Sequence, residues 1–88
     1  MLDLITIKDI KENIGTWCRT MRKAENLSQQ QLADELELSR YTITNLENGE
    51  NTTLDTFLKV LQYFDETQKF NHFISEKINN KTDNQSMY

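Results

Sequence analysis

The 88 residues predict an all-α fold of five helices. Three observations carry that expectation. The chain has no proline and two glycines, so little interrupts its longer segments. Apolar residues recur at steps of three and four instead of alternating. The polar breaks between apolar runs hold Ser, Thr or Asn where a helix needs an N-cap. Hydrophobic residues make up 36% and charged residues 27%, a globular balance. One domain of this length buries about 60% of the surface its unfolded chain exposes.

Thr6-Ile7-Lys8-Asp9 has the T-x-x-D form of a helix start, the threonine hydroxyl accepting from an early backbone N–H. From there Ile10, Ile14, Trp17, Cys18, Met21 and Ala24 form one stripe of a first helix. Gly15 within it costs about 1 kcal/mol relative to alanine. Asn26 suits the left-handed conformation that ends a helix, and Leu27 seats the turn. Ser28 caps a short second helix with Leu32, Ala33 and Leu36 inward. Leu38 lies in the link, and Ser39 caps a third helix presenting Ile43 and Leu46 and stopping at Asn48-Gly49. Asn51, Thr52 or Thr53 caps a fourth helix carrying Leu54, Phe57, Leu58, Leu61 and Phe64. A fifth, from about Asp65 to Ile78, places Phe70, Phe73, Ile74 and Ile78 on one side. The domain is expected to span 6–78. The remainder, NNKTDNQSMY at 79–88, is polar and aperiodic and reads as a flexible, frayed tail.

Composition excludes several classes of activity. One cysteine, Cys18, and one histidine, His72, supply neither a disulfide nor a zinc site. No glycine-rich loop or paired acid–base motif is present, so neither an enzyme nor a cofactor is expected. The opening MLDLITIKDI lacks the apolar region of a signal peptide. No apolar stretch approaches the roughly 20 residues that span a bilayer, which makes the cytoplasm the expected location. A net charge of −4 argues against a protein that coats nucleic acid without selectivity. The charge is uneven: Lys8, Lys11, Arg19, Arg22 and Lys23 lie before Ser28, whereas 28–50 sets Arg40 against Asp34, Glu35, Glu37, Glu47 and Glu50.

Two short helices, capped by Ser28 and Ser39 and joined by a tight link, outline a helix-turn-helix over 28–48. The helices cross steeply, so the first needs a small residue at the contact, supplied by Ala33. The second needs an aliphatic knob, supplied by Ile43, and the turn must carry an apolar residue inward, supplied by Leu38.

The stretch IGTWCRTMRKAENLSQQQLADELELSRYTITNLENGE resembles the Xre-type, lambda-repressor-like helix-turn-helix family. That resemblance implies a five-helix DNA-binding domain acting as a homodimeric repressor on palindromic double-stranded DNA. It implies that Arg40, Tyr41 and Asn45 face base edges, with Thr44 touching a base methyl or the backbone. Arginine matches guanine O6 and N7, and asparagine matches adenine. Gln29 corresponds to a glutamine that holds a phosphate and braces the recognition helix. Asn48 corresponds to a phosphate contact, and Ser28 and Ser39 sit at helix N-termini suited to phosphates. Arg22 and Glu47 correspond to a buried ion pair. More narrowly, NLENGENTTLDTFLKVLQYFDE resembles the HipB-type antitoxins, which implies autorepression and a HipA-like kinase toxin as partner. This chain departs from the wider family at Glu37, where glycine is usual; a left-handed glutamate there costs about 1 kcal/mol. HipB proteins also end in a short strand used in dimerisation, whereas this chain offers the helical FNHFISEKI.

Plainer readings stand beside these. Arg40 and Tyr41 are also what an exposed helix face would carry. Gln30 and Gln31 read as solvated, Trp17 as core or interface packing, and Cys18 as a small inert core residue. The Phe70, Phe73, Ile74 and Ile78 stripe covers either the domain's own core or a dimer contact. Asp34, Glu35, Glu37 and Glu50 are solvated surface or a docking face for a basic partner.

Overall fold

The computed structural model describes residues 4–86 and contains, among them, five helices and no strand. These are α1 (Ile7–Ala24), α2 (Gln29–Leu36), α3 (Arg40–Glu47), α4 (Leu54–Tyr63) and α5 (Thr67–Ser86). The starts follow cap chemistry. Thr6 and Asp9, and Ser28 and Gln31, form reciprocal capping boxes at α1 and α2. Ser39 accepts from the Thr42 N–H, and of the three candidates before α4 it is Thr53 that caps, accepting from Thr56.

The ends share one device. Asn26, Glu37, Gly49 and Asp65 all take positive φ, each just beyond a helix. Over each, the following N–H reaches back to a carbonyl of the last turn: Leu27 to Arg22, Leu38 to Ala33, Glu50 to Asn45 and Glu66 to Leu61, at 2.8–3.2 Å. Four chain reversals are thereby fixed by local bonds.

Cys18, Leu32, Ala33, Ile43, Leu46, Phe57, Val60 and Leu61 form the core, ringed by half-buried Ile14, Trp17, Met21, Leu36, Leu38, Leu58, Phe64 and Phe70. An edge-to-face aromatic series, Trp17–Phe57 at 6.0 Å and Phe57–Phe70 at 5.6 Å, joins α1, α4 and α5. The expected stripes shift at their ends. Ile10 and Ala24 on α1 and Leu54 on α4 lie near the ends of their helices and are exposed. Val60, absent from the expected stripe, is fully buried between Phe57 and Leu61.

Gly15 has a packing purpose that propensity alone does not disclose. A Cβ there would lie 2.4 Å from the Glu47 carbonyl oxygen and 2.7 Å from that of Leu46. Helix α1 therefore crosses the C-terminal end of α3 with no room for a side chain.

Helix α5 corrects the expected end at Ile78. It continues to Ser86 through the segment expected to fray, since no proline or glycine stops it and a polar helix can be solvated on all sides. Met87 and Tyr88 lie outside the described residues. Past its contacts with α4, this helix makes the molecule elongated, 52 Å against 29 and 21 Å.

Candidate nucleic-acid interface

Helices α2 and α3 meet through Ala33 and Ile43, both fully buried, while Leu38 turns inward from the link. The turn is made by Glu37 at φ 57°, ψ 42°, so glutamate does occupy the left-handed position. Buried Ile43, Leu46 and Glu47 then define the inner side of α3. At about 100° per residue, Arg40, Thr44, Asn48, Tyr41 and Asn45 fall in that order within an outer arc of roughly 140°.

The members of this arc differ in what they are free to do. Arg40 and Tyr41 are exposed, Tyr41 to 74%, and Asn45 is half-buried. None of the three has a side-chain hydrogen bond or ion pair among the described residues. Thr44 donates its hydroxyl to Gln29 Oε1 at 2.8 Å. Its polar group braces the scaffold because Gln29 stands across the α2–α3 crossing.

Gln29 also donates from Nε2 to Glu47 Oε1 at 3.0 Å. Its side chain is thus committed to the recognition helix, and its position at the start of α2 leaves a backbone N–H for an anion. The Ser28 and Ser39 hydroxyl oxygens accept as caps, and Ser39 shares a further bond with Thr42 at 2.9 Å. Both serines mark helix N-termini on the α2–α3 unit.

Glu47 is the hub beneath this face. Arg22 grips it bidentately, Nε to Oε2 at 2.6 Å and Nη2 to Oε1 at 2.9 Å, and donates from Nη1 to the Leu27 carbonyl at 2.7 Å. Burial pushes the Glu47 carboxyl up, but hydrogen bonds from Arg22 and Gln29, the Arg22 charge and a bond from Arg19 outweigh it. The group is held below the usual carboxylate range. The Arg22 guanidinium is correspondingly raised, chiefly by its bond to Glu47. Among the described residues no buried side-chain nitrogen or oxygen lacks a partner. Cys18, beside this hub, has its thiol pushed up to about 12 by burial, with the Glu47 charge adding to it. It stays protonated and is no nucleophile at neutral pH.

Arg19 belongs to the same assembly and escaped the sequence reading. It lies 3.5 Å from Glu47 Oε1 through Nε and donates from Nη2 to Asn48 Oδ1 at 3.2 Å. Its spacing of three from Arg22 puts both on one side of α1, a signal the apolar stripe alone passes over. Of the α5 residues, half-buried Phe70 packs edge-to-face on Phe57 of α4. Phe73, Ile74 and Ile78 remain exposed.

Two capped helices packed at Ala33, a left-handed turn and an outward arc that carries the uncommitted Arg40, Tyr41 and Asn45 together define a helix-turn-helix domain of the DNA-binding kind. The sequence model of the Helix-turn-helix family matches residues 19–67. The chain belongs to this Xre-type, lambda-repressor-like family, and is a DNA-binding transcription regulator with its all-α fold. No curated protein matches it. No helix among the described residues is long and apolar enough to cross a membrane.

Proposed function

We propose that the chain is a cytoplasmic, sequence-specific repressor, acting as a homodimer on a palindromic operator. Arg40, Tyr41 and Asn45 read base edges, and the helix starts at Ser28, Gln29 and Ser39, with Asn48, hold phosphates. One observation carries this reading. On the outer arc of α3 the side chains of Arg40, Tyr41 and Asn45 are left unpaired among the described residues, while Thr44 of the same arc is tied through Gln29 to Glu47. Such an arrangement holds a reading head rigid before DNA arrives, which lowers the ordering cost of binding. With a net charge of −4, affinity depends on these placed contacts. Two recognition helices would engage half-sites about 34 Å apart.

The test is a gel-shift titration on a duplex selected from a random pool by the wild-type protein. Arg40→Ala and Asn45→Ala each reduce discrimination by about 1–3 kcal/mol and keep weak binding to random DNA. If both variants bind the selected site as tightly as wild type, the base-reading assignment fails.

A narrower reading makes the protein the antitoxin of a toxin–antitoxin pair. Its support is the resemblance of NLENGENTTLDTFLKVLQYFDE to HipB-type proteins, together with the exposed apolar residues of α5. Co-expression with a kinase encoded beside its gene tests this. A stable complex that abolishes kinase activity supports the antitoxin role. Absence of such a gene or complex leaves a solitary repressor of the phage or mobile-element type.

A further inference from the structure

The charge on α2 and α3 works against DNA. Over 28–50 the one cation is Arg40, set against five carboxylates, and α3 ends in Asn48 with the negative end of its dipole exposed nearby. A phosphate approaching that end needs positive charge from elsewhere in the fold.

We infer that Arg19 of α1 supplies it, forming with Asn48 a two-residue phosphate clamp at the C-terminal end of α3. The inference rests on the DNA-binding reading above. Three observations support it. First, Arg19 retains capacity. Its Nε faces Glu47 and one Nη2 hydrogen goes to Asn48, leaving three of the five N–H donors of a guanidinium without a partner among the described residues. Its side chain is 42% exposed, so those donors reach solvent. Second, its charge is not consumed. Glu47 is already neutralised by the shorter, bidentate Arg22 pair, so the Arg22–Glu47–Arg19 group carries net positive charge. Third, Arg19 sets the direction of the Asn48 amide. Because Asn48 Oδ1 accepts from Arg19, its Nδ2 hydrogens turn the other way, and Asn48 is exposed.

The exposed surface of the pair is therefore all donors, which suits phosphate oxygens and repels nothing on them. Without Arg19 the amide is free to rotate, and a phosphate must order it before its nitrogen can donate. Arg19 thus acts twice, as a cation and as the positioning residue for Asn48.

The probe is a short random-sequence duplex, which reports phosphate contacts apart from base reading. Binding is followed by fluorescence anisotropy across a salt series for wild type, Arg19→Ala, Asn48→Ala, the double variant, and Lys8→Ala as a control for general charge. Arg19→Ala is expected to weaken binding several-fold at low salt. The slope of log affinity against log salt falls by about 0.9 per protomer. Asn48→Ala costs less in the Arg19→Ala background than alone, and Lys8→Ala changes affinity and slope less than Arg19→Ala does. Arg19→Lys keeps most of the slope and loses the coupling to Asn48, since an ammonium lacks the fork. Thermal melting checks that each variant folds; should Arg19→Ala not fold, Arg19→Gln removes the charge, keeps a donor for Asn48 and reads the same slope. An unchanged slope in a folded, charge-removed Arg19 variant overturns the clamp, as does an equal loss in Lys8→Ala. Failure of wild type to bind any duplex overturns instead the DNA-binding reading on which the clamp rests.

Discussion

Glu37 and Glu47 show how differently one residue type is used ten positions apart. Glu37 is exposed and left-handed, a conformation that brings its Cβ against its own backbone. Glycine there removes the strain. Glu37→Gly should stabilise the domain by about 1 kcal/mol and raise Tm by roughly 4–8 °C in a melting scan. Glu37→Ala, which keeps the Cβ, should bring no such gain. Glu47 is buried and charged, and replacing it by glutamine strands Arg22 at a cost of about 3–5 kcal/mol. Its folded carboxyl is held below the usual range, so its contribution is complete above the unfolded pKa and vanishes as pH falls through the folded one. Chemical denaturation should show a constant gap between wild type and Glu47→Gln from pH 7 to about 5, narrowing below about pH 4.

Among the elements, the α1–α3 crossing leaves no room for a side chain at Gly15. Gly15→Ala improves helix propensity by about 1 kcal/mol yet forces a methyl group onto two backbone carbonyls of α3. Overpacking against backbone prevails, and a net destabilisation of about 2 kcal/mol is expected from denaturant titration, with operator binding weakened because α3 is displaced. A neutral or stabilising result would mean that the helices part without consequence. The sequence showed where these elements start and stop, because Thr6, Ser28, Ser39, Asn26 and Gly49 act through bonds within a few residues. It could not show the tightness at Gly15, which depends on the carbonyls of Leu46 and Glu47, brought there only by the fold. The Thr44–Gln29 bond is hidden from the sequence for a similar reason: a hydroxyl serves whichever partner the fold sets opposite it. The pairing of Arg22 with Glu47 was legible only through family resemblance. The continuation of α5 was legible in the absence of any stop residue, but its polar composition obscured it.

At the scale of the whole molecule, α5 is the part least secured. It meets α4 along a groove lined by Leu54, Leu58, Phe70 and Ile74, then runs outward with Phe73 and Ile78 more than half exposed. Most helical stability comes from packing an apolar face, so a second copy covering this side would stabilise both. If the protein is a dimer through α5, Tm rises with protein concentration. Phe73→Asp combined with Ile78→Asp should remove that dependence and weaken operator binding, leaving binding to random DNA less affected. A Tm independent of concentration over a hundredfold range would place the dimer contact elsewhere.

The left-handed helix ends also bear on how long a molecule lasts. Three of the four are Asn26, Glu37 and Asp65 where glycine would be least strained. Each strained residue enlarges the unfolded population, and one or two kcal/mol changes that population by a factor of about 5–30. Proteases draw on unfolded chains, so turnover rises with it. A regulator that is cleared quickly keeps its occupancy of DNA tied to its current rate of synthesis. The turn at Glu37, a residue type less at home at positive φ than Asn26 or Asp65, is one place where that lifetime can be adjusted.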